Sequence, residues 1–473
     1  MSTTYKNLAK NTAMIAFGSF GSRAISFFML PIFTRILTRN DYGKIDFFTT
    51  TVSLLMPFLT LGIVEAVFRF TMDDINDEEK SRVLSSALII NVIGTATFLA
   101  VSPILYKIRS ISELVIYMVF AIAISSISSI FKTFVRAQQK LVVYAIGDII
   151  HTISFATLGI IFVAVLRYGV QGYLLATILS GLTDILFLLI VGEIYNYVSF
   201  KRISVSKIRS MLSYSLPMIP NNLSWWIMNV SDRYLLIFFL GFASNGIYSV
   251  SYKFMSLITI LNGIFYQAWQ ISAVKQYNKE DKNIFYSNVF KILYTFLLFM
   301  VIIFAIILKP LVGLMTGSDF YEAWNYIPFL FLGAVFSAFS SFFGVGYIAS
   351  KKSIGAFRTS IIGAGINFGI NICFIPILGI QAAALSTMLA FFAMWIARVF
   401  ETRKYFQISV NWGTLTFNLL LAAISLFANF IPTYGIALQV AATILFIYIN
   451  RREIILILSK IKKAFIFKLR RRK

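Results

Sequence analysis

The sequence predicts an all-α polytopic membrane protein, with about fourteen transmembrane helices in two six-helix lobes followed by two further helices. Three observations carry that expectation. The chain of 473 residues is 59% hydrophobic and only 13% charged, with 48 phenylalanines, so it lacks the polar shell that a soluble fold of this length requires. Apolar runs of about 20 residues recur along its whole length, each long enough to cross a hydrocarbon core of about 30 Å as a helix. Finally, short motifs in the first half return in the second half with matching spacing.

Taken in order, the first apolar span covers about 11–34. It is too long for the apolar core of a cleavable signal and no small-residue cleavage site follows, so it is expected to stay as a helix. The next spans fall at about 43–68, 83–106, 111–131, 142–166 and 169–195, completing the first six. The second six fall at about 211–240, 244–272, 286–308, 325–349, 354–376 and 379–400, with Pro376 to Gly379 marking the turn inside the last pair. Two more follow at about 411–430 and 433–450.

The repeat is read from three matches. Leu37-TRNDY-Gly43 answers Leu240-GFASN-Gly246, Ala137-QQ-Lys140 answers Ala349-SK-Lys352, and Tyr168-GVQG-Tyr173 answers Leu378-GIQA-Ala383. The displacement is about 210 residues, or six helices, which returns the chain to the same side of the membrane and makes the repeat parallel, with its pseudo-two-fold axis along the membrane normal. The expected division is an N-terminal lobe at 1–200, a cytoplasmic linker at 201–210, a second lobe at 211–404, the last two helices at 405–458 and a polybasic tail at 459–473. Two such lobes leave a cleft between them, where secondary transporters hold substrate near mid-membrane.

Charge sets the orientation. With the N-terminus in the cytoplasm, 32 of the 42 Lys and Arg residues fall on cytoplasmic segments and seven on the other side. This positive-inside pattern predicts a multi-pass protein of the cytoplasmic (inner) membrane with both termini cytoplasmic. The closing KIKKAFIFKLRRRK suits anionic lipid headgroups, so the net charge of +23 speaks for membrane lipids as partners and not for nucleic acid. The single Cys373 and single His151 exclude a His/Cys metal site within the chain, and no cofactor is implied. No G-x-x-x-x-G-K-[ST] loop is present, so ATP hydrolysis is excluded as the energy source.

The candidate site residues are polar groups inside apolar spans. Asn222, Trp225, Trp226, Asn229, Asp232 and Arg233 recur at three- and four-residue steps in the seventh span and share one helix face. Lipid-facing polar groups are costly, so this face turns toward protein or water. It either lines the cleft or pairs with neighbours to fix helix packing. Pro217 and Pro220 predict a bend at the start of that helix. Arg23 and Lys253 both sit near mid-depth, on spans of opposite lobes, and buried cations without matching anions imply an anionic guest. Arginine's planar fork suits a phosphate or diphosphate. Asp184 and Asp232 are the candidates for ion coupling, with hydrogen bonding to Ser180 or Thr183 as the alternative role of Asp184. Glu65 and Asp148 fall near cytoplasmic ends and are expected in ion pairs, while His151 is expected to be structural.

The run Pro217…Pro220-Asn221…Trp225-Trp226…Asn229…Asp232-Arg233…Gly241…Gly246-Ile-Tyr248…Lys253 resembles the seventh and eighth helices of polysaccharide-transport flippases. Leu30-Pro31…Leu37…Asp41-Tyr42-Gly43 resembles the same family, which shares a superfamily with multidrug-and-toxin-extrusion antiporters and lipid II flippases. The resemblance spans essentially the full chain. It implies alternating access of a central cationic cavity and movement of an undecaprenyl-diphosphate-linked oligosaccharide between leaflets, with a polymerase and other polysaccharide assembly proteins as candidate partners. Ser22-Arg23 matches the first helix of the lipid II flippases and Lys253 a basic position of their eighth. Met29 stands where that family has a second arginine, which favours a different glycan. The alternative on the same fold is a drug or cation antiporter, which predicts a carboxylate-lined cavity. An enzyme acting on the same lipid carrier lacks a substantial outer loop here, so the chain is read as a transporter and not an enzyme. A phosphatase reporter fused after Lys473 is expected to be inactive and a fluorescent-protein fusion bright; the reverse result overturns the cytoplasmic C-terminus.

Overall fold

The computed structural model describes residues 21–22, 24–73, 76–350 and 353–455, and among them no residue is in a β-strand. The helices of the first part are α1 (Leu30–Ile36), α2 (Arg39–Leu59), α3 (Ile63–Asp73), α4 (Asp77–Tyr106), α5 (Ser112–Ala137), α6 (Leu141–Gly159), α7 (Gly169–Val191) and α8 (Val205–Ser215). They are followed by α9 (Ile219–Leu240), α10 (Phe242–Gln276), α11 (Lys282–Ile306), α12 (Leu308–Met315), α13 (Ile327–Ala349), α14 (Ser353–Leu378), α15 (Ile380–Thr402), α16 (Trp412–Phe427) and α17 (Gly435–Ile449). Ten of the described helical segments are long and apolar enough to cross a membrane, eleven if the bent pair α2 and α3 is one span. The apolar segments at 24–36 and in α17 are shorter.

Large hydrophobic side chains such as Ile190, Phe238 and Ile377 point outward from the protein. Apolar exposure on this scale is incompatible with water and suits a bilayer.

Two compact units divide the chain. Met1–Trp226 with Gly241–Gly246 forms one, and Ile227–Leu240 with Ile247–Lys473 forms the other. In the first, Val83, Leu84 and Ala87 of α4 pack with Phe131, Phe134 and Val135 of α5 and with Leu188 of α7, while a second cluster joins Phe48 and Val52 of α2 to Met118 and Ile122 of α5. In the second unit, Trp269 of α10 stacks on Phe342 of α13 with ring centroids 4.2 Å apart, and Phe290 of α11 meets Phe339 and Phe342. Asn418 and Asn450 exchange two side-chain hydrogen bonds of 2.9 Å, tying α16 to the end of α17.

The expected second span is not one straight helix. α2 and α3 meet at 58°. Pro57 removes a backbone donor near the end of α2, and Leu61 and Gly62 take positive φ, which no continuous α-helix allows. The hydroxyl of Ser215, at the end of α8, donates to the freed Leu61 carbonyl at 2.7 Å. The seventh span is also interrupted where the prolines predict a bend: a single 3₁₀ turn, Leu216–Met218, separates α8 from α9.

The start of α2 is fixed by local chemistry. Thr38 and Asp41 form a reciprocal capping box, each side chain accepting from the other's backbone N–H at 3.2 Å. Gly43, one turn later, lies so close to the 241–246 segment that a Cβ there would fall 1.8 Å from the Phe242 carbonyl oxygen. Gly246, its counterpart in the repeat, is pressed in the same way on Arg39, with 2.0 Å left for a Cβ. Asn245 completes the contact by donating to the Gly43 carbonyl at 3.1 Å and to Asp46 at 3.2 Å.

Gly94 of α4 is another backbone contact, with 1.9 Å between a built Cβ and the Leu59 carbonyl oxygen at the end of α2. Gly94→Val is therefore expected to destabilise the first unit by about 2 kcal/mol or more through overpacking. Thermal unfolding in detergent measures this, and an unchanged midpoint would show that α2 and α4 separate freely.

Candidate functional site

Polar side chains on facing helices converge within each unit. In the first, Lys132 of α5 lies 2.8 Å from Asp148 of α6 and 3.2 Å from Asp184 of α7. Asp184 is fully buried and also accepts a hydrogen bond from Ser128, one turn before Lys132. Its other carboxylate oxygen, Oδ1, is buried with no hydrogen-bond partner. Helical spacing explains the convergence: Ser128 and Lys132 are four residues apart and share a face of α5. Gly147 allows α6 to approach, since a Cβ there would already sit 3.4 Å from Asp184 Oδ1.

This arrangement revises two sequence expectations. Asp184 does not bond Ser180 or Thr183; their hydroxyls return to the α7 backbone, at Thr177 and Ser180. Lys132 falls just past the expected fourth span, 111–131, and so among the 32 basic residues assigned to the cytoplasmic side, but it lies within α5 and holds two carboxylates. Asp148 forms the ion pair expected of it.

In the second unit, Asp232 of α9 is fully buried and accepts hydrogen bonds from Tyr248 of α10 and, at 3.2 Å, from Thr387 of α15. Its carboxylate also accepts from the Arg233 backbone N–H at 2.9 Å. A run of buried amides and hydroxyls joins α9, α14 and α15. Ser231 donates to Asn367 at 3.2 Å, Asn371 donates to Asn367 at 3.2 Å, and Ser386 donates to Asn371 at 2.7 Å. The Asp232 carboxylate is thus held by side chains of two neighbouring helices, Tyr248 and Thr387.

Arg233 and Asn229 are brought together through Tyr252 of α10. The guanidinium carbon of Arg233 lies 4.7 Å above the Tyr252 ring, and the Tyr252 hydroxyl donates to Asn229 Oδ1 at 3.2 Å. Lys253, the next residue of α10, is exposed. Of the other predicted site residues, Arg23 lies outside the described residues, and so do the side chains of Asn222 and Trp225.

A further cation was missed as an internal group. Arg398 of α15 is 3% exposed. Its guanidinium donates to Thr359 at 3.1 Å, to the Ser340 carbonyl at 2.9 Å and to Ser360 at 3.2 Å, joining α13, α14 and α15. Gly344 makes the room, because a Cβ there would meet the guanidinium at 2.7 Å.

Against this geometry, the comparisons are consistent. A family model described as "Polysaccharide biosynthesis protein" matches residues 8–270, more than half of the chain. The chain belongs to that family. An uncharacterised membrane protein of Methanocaldococcus jannaschii, MJ1068, is 22% identical to this family member over 403 residues, 77% of each chain. Among solved structures, the lipid II flippase MurJ in an inward closed conformation superposes with a TM-score of 0.72 and 16% identity, covering 94% of this chain and 100% of that one. An inward-facing multidrug-resistance MATE transporter superposes with a TM-score of 0.62 and 16% identity, covering 85% and 94%. These similarities establish a multi-pass membrane fold shared with a lipid II flippase and a multidrug-resistance transporter.

Removing the central cation of the first cluster leaves two carboxylates facing each other inside the protein. Lys132→Ala is expected to lose about 3 kcal/mol of stability, and adding Asp184→Asn to recover at least half of it. Melting temperatures of the two single variants and the double variant measure the coupling; additive losses would show that the pair is energetically idle.

Proposed function

We propose that the protein is a flippase, not an enzyme, that moves undecaprenyl-diphosphate-linked oligosaccharide repeat units across the cytoplasmic membrane. The product would feed capsule, O-antigen or a related surface polymer. The observation that carries this reading is membership of the polysaccharide biosynthesis family on a fold that lipid II flippases also use. Transport would proceed by alternating access of a central cationic cavity, with Arg23, Lys253 and Arg233 attracting the diphosphate and Asn229, Asn222 and Trp225 meeting the sugars. Two fixed cations in a partly dehydrated cavity attract a doubly negative headgroup far more strongly than exposed charges do in water.

Asp232 is the proposed coupling site in the second unit and Asp184 in the first. The buried neighbours of Asp232 support its role: a carboxylate held by the Tyr248 and Thr387 hydroxyls can take up a proton without water. A drug or cation antiporter has a similar fold. The polysaccharide family match favours the lipid-linked glycan.

Complementation of a strain lacking its own flippase, read as surface polymer, tests the proposal. Arg23→Ala is expected to abolish export and Arg23→Lys to restore part of it, because the bidentate geometry is lost. Lys253→Arg is expected to be better tolerated than Lys253→Gln. Asp232→Asn, with its hydrogen-bond partners in place, is expected to keep binding and lose gradient dependence. Full export by a stably expressed Arg23→Ala, Lys253→Ala double variant sinks the cationic-cavity mechanism.

A further inference from the structure

A cavity of about 300 Å³ opens in the first unit beside the Lys132 cluster. Its wall takes Ser125, Ser129, Lys132 and Arg136 from α5, and Tyr144 and His151 from α6. Gly181 of α7 closes it, lying so near α5 that a Cβ would come within 2.5 Å of the Ile124 side chain. No carboxylate is among the lining residues. Asp148 and Asp184 hold the Lys132 ammonium at 2.8 and 3.2 Å, two carboxylates to one cation, so Lys132 has no charge left for a guest.

Arg136 is different. Its guanidinium carbon lies 4.6 Å from the centre of the Phe68 ring, and its Nε is buried with no hydrogen-bond partner. Among the described residues it makes no ion pair. The lining of the cavity therefore presents one guanidinium without an ion-pair partner, beside hydroxyls and an imidazole. Hydroxyls that both donate and accept are what a polyol ring requires, and a guanidinium fork accepts one planar carboxylate through two parallel hydrogen bonds. A phosphate monoester fits less well, because its charge of about −1.5 to −2 exceeds the single cation and would face the Asp148 and Asp184 pair behind Lys132. The volume is at the lower end of the range for ligand pockets, about 300–1,000 Å³, which admits one sugar ring and not a whole oligosaccharide.

We propose that this cavity binds a single uronate-type acidic sugar, with the ring among the hydroxyls and its carboxylate on Arg136. This deepens the flippase reading, and rests on it only in making that sugar part of the transported glycan. It predicts a cargo that carries an acidic residue, recognised within the first unit and apart from the diphosphate.

Titration of the purified protein in nanodiscs with glucuronate, glucose and glucose 1-phosphate tests the binding without any transport. Glucuronate is expected to bind saturably, and the other two at least about tenfold more weakly. Arg136→Gln is expected to weaken glucuronate binding by about tenfold or more, and Arg136→Lys by less. Ser129→Leu, which fills the cavity without altering charge, is expected to block binding even if the Arg136 variants fold poorly. Equal affinity for glucuronate and glucose, tighter binding of the phosphate ester, or unchanged binding in folded Arg136→Gln and Ser129→Leu each overturns the proposal. A chain that exports glycan but does not bind glucuronate refutes this pocket alone. One that binds glucuronate but exports nothing refutes the flippase reading alone.

Discussion

Inside a bilayer no water is available to complete a hydrogen bond, so a charged or polar side chain that the helices carry into it is costly unless another protein group answers it. That requirement organises the protein. Asp184 is answered by Lys132 and Ser128, Asp232 by Tyr248 and Thr387, and Arg398 by Thr359, Ser360 and the Ser340 carbonyl. Each of these contacts joins at least two helices, so the same bonds that make a buried charge tolerable also hold the helices in register. Packing of apolar side chains alone supplies little such specificity, because lipid tails solvate leucine as well as a neighbouring helix does.

The breaks in the helices obey the same rule. A helix that ends within the apolar zone leaves carbonyls without donors. At the α2–α3 bend the Leu61 carbonyl is met by Ser215, a residue from beside another interruption, the 3₁₀ turn at Leu216–Met218. Two discontinuities thus stabilise each other in the first unit, and a change in one is felt by the other.

Much of this was legible in the sequence. Apolar run length reveals helices wherever the bilayer dictates their size, and three- and four-residue spacing reveals that Asn229, Asp232 and Arg233 share a face. The Pro217 break follows from the missing backbone donor. Other features are not local. The 58° bend depends on positive φ at Leu61 and Gly62, and Leu61 gives no compositional hint of it. Lys132, Arg136 and Arg398 sit near helix ends, where basic residues usually mark the cytoplasmic surface; only the approach of other helices makes them internal. Small residues at Gly147, Gly181 and Gly344 permit that approach, but which glycine faces which charge is a tertiary fact.

The paired glycines at the two matched turns carry an evolutionary implication. Gly43 presses on the backbone at Phe242, and Gly246 presses on the backbone at Arg39, so each occupies the space that the other's neighbour would need. Self-complementary contacts of this form are what a two-fold dimer makes at its axis. Once two copies of such a turn are joined in one polypeptide they can drift apart in sequence almost everywhere else. At this contact they inherit a joint obligation, since a side chain gained on either turn has no room unless the other gives way.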